Sequence, residues 1–503
     1  MESQLQVYNS LNRKKEVFTP LVEGHVGMYV CGPTVYSNVH LGNCRTFVNF
    51  DLIYRYLQHL GFRVRYVRNI TDVGHLEGDA DIGREDKISK QARLLQKEPM
   101  EIAQEYTIGF HKMMDIFNTL PPSIEPRATG HILEQIEMVQ KIIDNGYGYE
   151  KNGSVYFNTR KFYEDHQNYG QLSGRKIDEL LNETRDDLKN QGEKENPTDF
   201  AIWIKADPSH LMRWDSPWSV GFPGWHLECS AMSTKYLGET FDIHGGGNDL
   251  KFPHHENEVA QNYGACGCTP SRYWLHANML LMNGKKMSKS DGNNITPGEL
   301  FTGESTHISK GYSPMVVRFF MLQSHYRSTL DLTDDALLAA EKGYHRLMEA
   351  NRTLEDMTHP GTGSESELNQ SILDLCEAVY TDMNDDFNAP KALARLFELV
   401  PKINGLRDGH LSFAEVKPET IDRLKEIFKA FIFDIFGLTD ETKGGSNGSG
   451  ALLDGLMDII ISLRKEARTN KDWTTADFIR NQLGELKVVL KDGKEGTSWT
   501  QEN

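Results

Sequence analysis

A chain of 503 residues is too long for one hydrophobic core and points to about three or four domains. With 25% charged and 38% hydrophobic residues it has the composition of an ordinary globular protein, and a net charge of -17 excludes a protein that coats nucleic acid non-specifically, though not a local basic track. Six scattered cysteines exclude a disulfide scaffold, no run approaches the about 18 apolar residues of a membrane span, and MESQLQVYNSLNRKKE lacks a signal-peptide core, so a cytoplasmic protein with no membrane partner is expected.

Val26 to Cys31 reads as a buried strand. Arg45 to Leu60 reads as a helix with Phe47, Phe50, Ile53, Leu57 and Leu60 on one side and Gly61 at its end, and Phe62 to Ile70 as a second strand. Such a βαβ unit places its ligand site at the carboxyl ends of the strands, where Cys31 and Thr71-Asp72 fall. Leu76 to Glu98 is polar and ambiguous, and Met100 to Phe117 is helical in pattern. After the break TLPPSIEPR, Asn152-Gly153 reads as a hairpin turn.

The α/β rhythm returns with a helix over Trp225 to Leu237, a strand over Phe241 to His244, a tight loop at Gly245-Gly246-Gly247, a helix over Pro253 to Tyr263 and a strand over Tyr273 to Ala277. The Asn283-Gly284 turn then leads into KKMSKSDGN. The fold class expected is a Rossmann-like parallel-sheet α/β domain in two halves, 1–118 and 220–298, split by an insertion at 119–219 and followed by a contact segment at 299–331.

Beyond Leu330 the period is helical. Leu337, Ala340, Tyr344 and Leu347 form one stripe, and Leu368, Ile372, Leu375, Val379 and Met383 a second. Leu393, Leu396, Val400 and Ile403 follow Pro390, and Ile421, Leu424, Phe428, Phe431 and Ile435 end at Gly437. An antiparallel bundle at 332–443, a flexible linker at 444–450 and a small module at 451–503 are expected. From Leu463 to Lys494 that module carries eight Lys or Arg against five Asp or Glu, a reversal of the chain's overall sign that fits either a polyanion partner or a solvated helix face.

Two constellations carry chemistry. Cys229 lies in GWHLECSAM on a helix, and His254 and Glu258 in FPHHENE are four apart on one helical face. With Cys31 they make two thiolates, an imidazole and a carboxylate, all acceptable to Zn²⁺. Packing cysteines and a surface His–Glu pair explain the same letters. His255 and Glu256 are expected to point elsewhere on that helix, Cys266-Gly267-Cys268 lacks a second half, and Cys376 reads as bundle core.

The second constellation concerns phosphate. His40-Leu41-Gly42-Asn43 opens a helix, where free N–H groups and the helix dipole favour an anion. Lys286 and Lys289 flank a hydroxyl-bearing loop that can close positive charge over a phosphate chain.

With both motifs in hand, the chain resembles the class I aminoacyl-tRNA synthetases: HLGN is similar to the HIGH signature, and KMSKS matches the second signature. MYVCGPTVY, FDIHGGG, GWHLECSAM and FPHHENE resemble cysteinyl-tRNA synthetases in particular, and the similarity runs to Trp499. The resemblance implies ATP-dependent activation of L-cysteine and its transfer to the terminal ribose of tRNA(Cys) by a monomer. It implies one zinc ion on Cys31, Cys229, His254 and Glu258, and Mg²⁺ accompanying ATP.

Residue by residue, the resemblance assigns catalysis to His40, Asn43, Lys286 and Lys289, and ATP binding to these together with Gly42, Gly245 and Gly246. Gly32, Thr71 and Trp225 match the cysteine pocket. Arg468, Asp477, Asp492, Trp473 and Trp499 match the blocks that read the anticodon. Three positions depart from the family pattern: Asn43 replaces the second histidine of HIGH, Val73-Gly74-His75-Leu76 and the acidic stretch to Glu85 replace an acidic pair, and Ile204 stands at a common lysine position. Competing readings are a cysteine ligase acting on an amino sugar, of the mycothiol-biosynthesis type, and a non-catalytic RNA-binding derivative. The terminal module speaks against the first and the intact motifs against the second.

Overall fold

The computed structural model describes residues 4–74, 87–166, 168–175, 194–208, 210–287, 293–441, 449–470, 472–486, 488–493 and 496–501. The chain falls into two compact units, Met1–Leu438 and Thr439–Asn503. The acidic stretch from Glu77 to Glu85, Lys289 and most of the glycine-rich linker lie outside the described residues.

The centre of the larger unit is a four-stranded parallel sheet in the order Ser271–Ala277, Phe241–Gly247, His25–Val30, Arg63–Arg68. The strands are apolar because both faces are covered: Val26, Met28, Tyr29 and Val30 are almost wholly buried. Leu41–His59, the signature helix, follows the third of these strands and buries Phe47, Phe50, Ile53 and Leu57.

The sheet corrects one expectation. Gly245, Gly246 and Gly247 are not a tight loop but the end of their strand, paired with Leu275, His276 and Ala277. Their missing side chains make room for neighbours. A Cβ on Gly245 would lie 2.2 Å from the Phe50 ring, and one on Gly246 would lie 2.8 Å from that of His255.

Ile124 and Arg127 pair in parallel with Val67 and Ile70, so the first residues of the segment read as an insertion extend the sheet edge. Beyond them lies an antiparallel sheet of Gly148–Lys151, Ser154–Phe157, Phe200–Lys205 and Gly221–Pro223. Its first hairpin turns through Asn152 and Gly153, both at positive φ, as an Asn-Gly turn requires.

Leu280–Met282 and Lys285–Lys286 form a hairpin around Asn283-Gly284, and Leu280–Met282 also pairs in parallel with Leu330–Leu332. The Asn293 carboxamide donates to the carbonyls of Met282 and Lys286 across the base of the loop between them. Arg45, fully buried on the signature helix, donates to the carbonyls of Asn278, Met279, His325 and Ser328. One guanidinium thus ties the helix that opens at HLGN to the segment that leads into KMSKS.

Four helices follow: Asp334–Asp356, Glu367–Asn384, Ala389–Arg407 and Pro418–Lys429, the last continued by a π-helical turn at Ala430–Ile435. The first, third and fourth stripes read from sequence are buried, as is Cys376, while Leu368 and Leu375 of the second are half-buried. Arg318 joins this region to the signature helix by pairing with Asp51 and donating to the carbonyls of Phe436 and Phe117.

The smaller unit has two helices, Ser449–Thr469 and Trp473–Glu485, and a hairpin of Val488–Gly493 with Gly496–Gln501. Asp472 caps its second helix by accepting from the Thr475 N–H. Among the described residues no helix is long and apolar enough to cross a membrane.

Candidate active site

The carboxyl ends of the central strands open into a cleft of about 270 Å³. Cys31, Cys229, His254 and Trp225 line one part of it; Gly32, Asn69 and Thr71 line its wall; His40 and Asn43 line the other part. Cys31 comes from the residue after strand His25–Val30, Cys229 from the helix Leu227–Leu237, and His254 and Glu258 from the helix His254–Cys266.

The four predicted ligand residues converge. Cys31 Sγ lies 3.7 Å from Cys229 Sγ and 3.6 Å from Glu258 Oε1, and His254 Nε2 lies 3.2 Å from Glu258 Oε1. Tetrahedral zinc with bonds of about 2.0–2.3 Å holds its donor atoms about 3.3–3.8 Å apart, close to these separations. All four residues are buried, and neither ring nitrogen of His254 has an aligned hydrogen-bond partner. Buried polar atoms left in this way fit an ion that no hydrogen bond replaces.

The electrostatics agree. Burial pushes the Cys31 thiol well above its ordinary pKa, and Cys229 adds to the effect. Burial also opposes ionisation of Cys229, yet the hydrogen bond from Cys31 and the charge of His254 bring it below the ordinary thiol value. Burial disfavours a charged His254, but Cys229 and Glu258 outweigh it and raise its pKa to about 10. Negative groups are thus gathered around protons that a cation can displace.

His255 overturns an expectation. Its Nε2 lies 3.3 Å from Cys31 Sγ, and with Cys31, His244 and Glu258 it forms a second set that could hold a metal. The physical reason is that Glu258 is four residues from His254 and three from His255, so it sits between both rings at the start of one helix. Glu256 does point elsewhere, accepting from the Ser173 N–H. Two observations separate the sets: Cys31, Cys229 and His254 face the cleft whereas His244 and His255 do not, and His255 Nδ1 is already bonded to His276.

At the other end, His40 is the N-cap of the signature helix. Its Nδ1 accepts from the Asn43 N–H at 3.3 Å, and Asn43 Oδ1 accepts from the His40 N–H at 3.4 Å. An acceptor at Nδ1 leaves the neutral ring's proton on Nε2. Gly42 sits in the first turn, where a Cβ would come within 3.0 Å of the His40 ring. Gly247 lines the cleft, whereas Gly245 and Gly246 do not. Lys286 is exposed on its hairpin.

Gly32 has a steric requirement: a Cβ there would lie 1.6 Å from the Asn69 carbonyl oxygen. Trp225 is half-buried with its ring 4.6 Å from that of His254. Thr71 Oγ1 donates to the buried Glu228 at 2.5 Å and accepts from Asn69 Nδ2 at 3.1 Å. Asn69, Glu228 and His244 escape the reading of the sequence, and His255 is expected there to point elsewhere. A polar residue at the carboxyl end of an apolar strand was the available signal for Asn69 and His244, whereas Glu228 gave none.

In the smaller unit Arg468, Trp473 and Asp477 are exposed, and Asp477 has an ion pair of 3.8 Å with Arg480. Trp499 stands opposite Leu490 in the hairpin, and Asp492 lies on the first strand, its side chain outside the described residues.

Comparison with known proteins supplies the family. Residues 17–342 match the model of the tRNA synthetases class I (C) catalytic domain, and residues 378–440 match the DALR domain. The chain is 54% identical to the cysteine-tRNA ligase of Bacteroides thetaiotaomicron and 51% identical to that of Porphyromonas gingivalis, each over 99% of both chains. With that of Deinococcus radiodurans it is 47% identical, over 98% of this chain and 96% of the other. Methionyl-tRNA synthetase of Mycobacterium tuberculosis in complex with methionyl-adenylate shares the fold, with a TM-score of 0.61 at 14% identity, over 86% of this chain and 93% of the other. The chain belongs to the cysteine-tRNA ligase family of class I aminoacyl-tRNA synthetases.

Proposed function

We propose that this chain activates L-cysteine with ATP and transfers the cysteinyl group to the terminal ribose of tRNA(Cys). One observation carries the reading: a single cleft joins the thiolate-imidazole cluster at Cys31, Cys229 and His254 to the helix N-terminus at His40 and Asn43. A soft-ligand site and a phosphate-binding turn one strand-end apart suit a substrate with a thiol and a carboxylate that must meet ATP.

Zinc on Cys31, Cys229, His254 and Glu258 would supply a soft Lewis acid that favours a substrate thiolate over the hard hydroxyl of serine. Shape alone separates such near-isosteres by about 1–3 kcal/mol. Trp225 walls the pocket, and Gly32 lets the backbone approach the amino acid. A carboxylate oxygen of cysteine then attacks the α-phosphorus of Mg²⁺-bound ATP, and the bond to the bridging oxygen breaks with release of pyrophosphate. His40 donates from Nε2 to the phosphates, the Gly42 N–H and the helix dipole add to it, and Lys286 and Lys289 bring positive charge from the KMSKS segment. In the second step a ribose hydroxyl attacks the acyl carbon, and AMP leaves.

The domain reading completes the proposal. The insertion at 119–219 is a connective domain, the segment at 299–331 and the bundle at 332–443 follow the inner side of the tRNA, and the module at 451–503 reads the anticodon. Arg468, Asp477 and Asp492 hydrogen-bond base edges there, and Trp473 and Trp499 stack. The test measures cysteine-dependent ATP–pyrophosphate exchange together with charging of transcript tRNA(Cys). Both activities are expected. Exchange without charging would overturn the assignment of tRNA as acceptor, and absence of exchange from metal-replete protein would overturn the reading as a whole.

A further inference from the structure

The wall of the cleft between the metal ligands and the phosphate turn is made of side chains that constrain one another. Asn69, Thr71 and Glu228 are respectively 0%, 3% and 2% exposed. Thr71 is fixed by its backbone as well: its N–H donates to the Pro33 carbonyl, and its carbonyl accepts from the Val35 N–H. Asn69 Oδ1 takes the Gly32 N–H at 2.8 Å, while Asn69 Nδ2 donates to Thr71 Oγ1 at 3.1 Å. The Thr71 hydroxyl in turn donates to Glu228 Oε1 at 2.5 Å.

A hydroxyl offers one donor and two acceptor positions. With Glu228 ionised, the Thr71 donor is spent on it and one acceptor position on Asn69, which leaves a single acceptor. The Gly32 N–H beside it is spent on Asn69. This part of the cleft wall therefore offers a lone pair where an unconstrained threonine would offer a proton. Of the two charged groups every α-amino acid carries, the carboxylate has only acceptors and gains nothing from such an oxygen. The ammonium group has three donors.

We propose that Glu228 is a positioning residue for substrate selection: by holding the Thr71 hydroxyl proton, it makes Thr71 an obligatory acceptor that reads the α-ammonium group of the amino acid. This rests on the reading of the cleft as a cysteine-activating site. Glu228 touches no substrate; it acts through Thr71. The assignment explains why a carboxylate is buried on the helix residue next to Cys229 without lining the cleft.

The experiment compares binding of L-cysteine and of 3-mercaptopropionate, which is cysteine without its amino group, to full-length metal-replete protein by calorimetry. Metal content and the KM for ATP are measured in parallel. Wild type should prefer cysteine by at least about tenfold, equivalent to about 1.4 kcal/mol. Glu228→Met should bring the two affinities together by weakening cysteine alone, with KM for ATP unchanged. Glu228→Gln keeps an acceptor oxygen and should retain the preference. Thr71→Val removes the reading oxygen without touching the helix that carries Cys229, so it should lose the preference even where Glu228→Met fails to fold. An unchanged ratio in Thr71→Val, or an equal loss for both ligands in Glu228→Met, would overturn the proposal while wild-type exchange leaves the parent reading standing. A wild-type protein with no cysteine-dependent exchange would overturn both.

Discussion

His40 and Asn43 cap the signature helix reciprocally, each accepting from the other's backbone N–H, at 3.3 and 3.4 Å. The carboxamide that replaces the family's second imidazole is therefore a structural acceptor at the same turn that presents His40 to the cleft.

Replacing Asn43 by Ala removes that acceptor and is expected to cost about 1 kcal/mol of stability, read as a lowered urea midpoint. Replacing it by Asp keeps the acceptor and the midpoint. The new carboxylate beside the phosphate turn should raise the KM for ATP in pyrophosphate exchange by about tenfold or more, as expected for like charges a few ångströms apart. An Asn43→Asp enzyme with unaltered KM would place the phosphates elsewhere.

The overlapping metal sets make opposed predictions for adjacent histidines. With the ion on the cleft side, His254→Ala and Cys229→Ser should lose bound metal, measured by emission spectroscopy after dialysis, and their cysteine-dependent exchange should fall along with their preference for cysteine over serine. His255→Ala should retain the metal. Retention in His254→Ala with loss in His255→Ala would move the ion to the deeper set formed with His244.

Gly245 stands where a Cβ would meet Phe50 at 2.2 Å. Gly245→Ala should destabilise by about 1–3 kcal/mol, as overpacked cores do, and Phe50→Leu in the same chain should recover part of the loss in urea denaturation. A Gly245→Ala protein of wild-type stability with defective ATP binding would instead assign the glycine to the nucleotide.

Trp473 is 58% exposed in a unit whose strands and helices do not need it as core. If it stacks on a base, worth about 1–3 kcal/mol, Trp473→Ala should raise the KM for tRNA by about tenfold or more and leave pyrophosphate exchange unchanged. Equal effects on both reactions would place its role outside tRNA recognition.

The residues that carry chemistry were legible in the sequence because turns and helix starts have local signatures. HLGN, Asn152-Gly153 and Asn283-Gly284 each declare backbone geometry over a few residues, and His254 and Glu258 declare a shared face through their spacing. The strand period was equally legible up to His244. It failed at Gly245 to Gly247, since a run of glycines reads as a turn until Phe50 and His255 are known to occupy the space above it.

The sequence by itself determined the parallel α/β core, the helical stripes, the two signature motifs and the four candidate metal ligands, because each rests on periodicity, spacing or resemblance along the chain. Tertiary structure alone decided which polar groups meet: that His255 joins the cysteine cluster, that Arg45 ties the signature helix to the segment leading into KMSKS, and that Glu228 meets the Thr71 hydroxyl. Those contacts join residues from 157 positions apart, as for Thr71 and Glu228, to 283 apart, as for Arg45 and Ser328. Hydrogen bonds act over about 3 Å, so no local pattern in the sequence can announce a partner that only the folded sheet brings within reach.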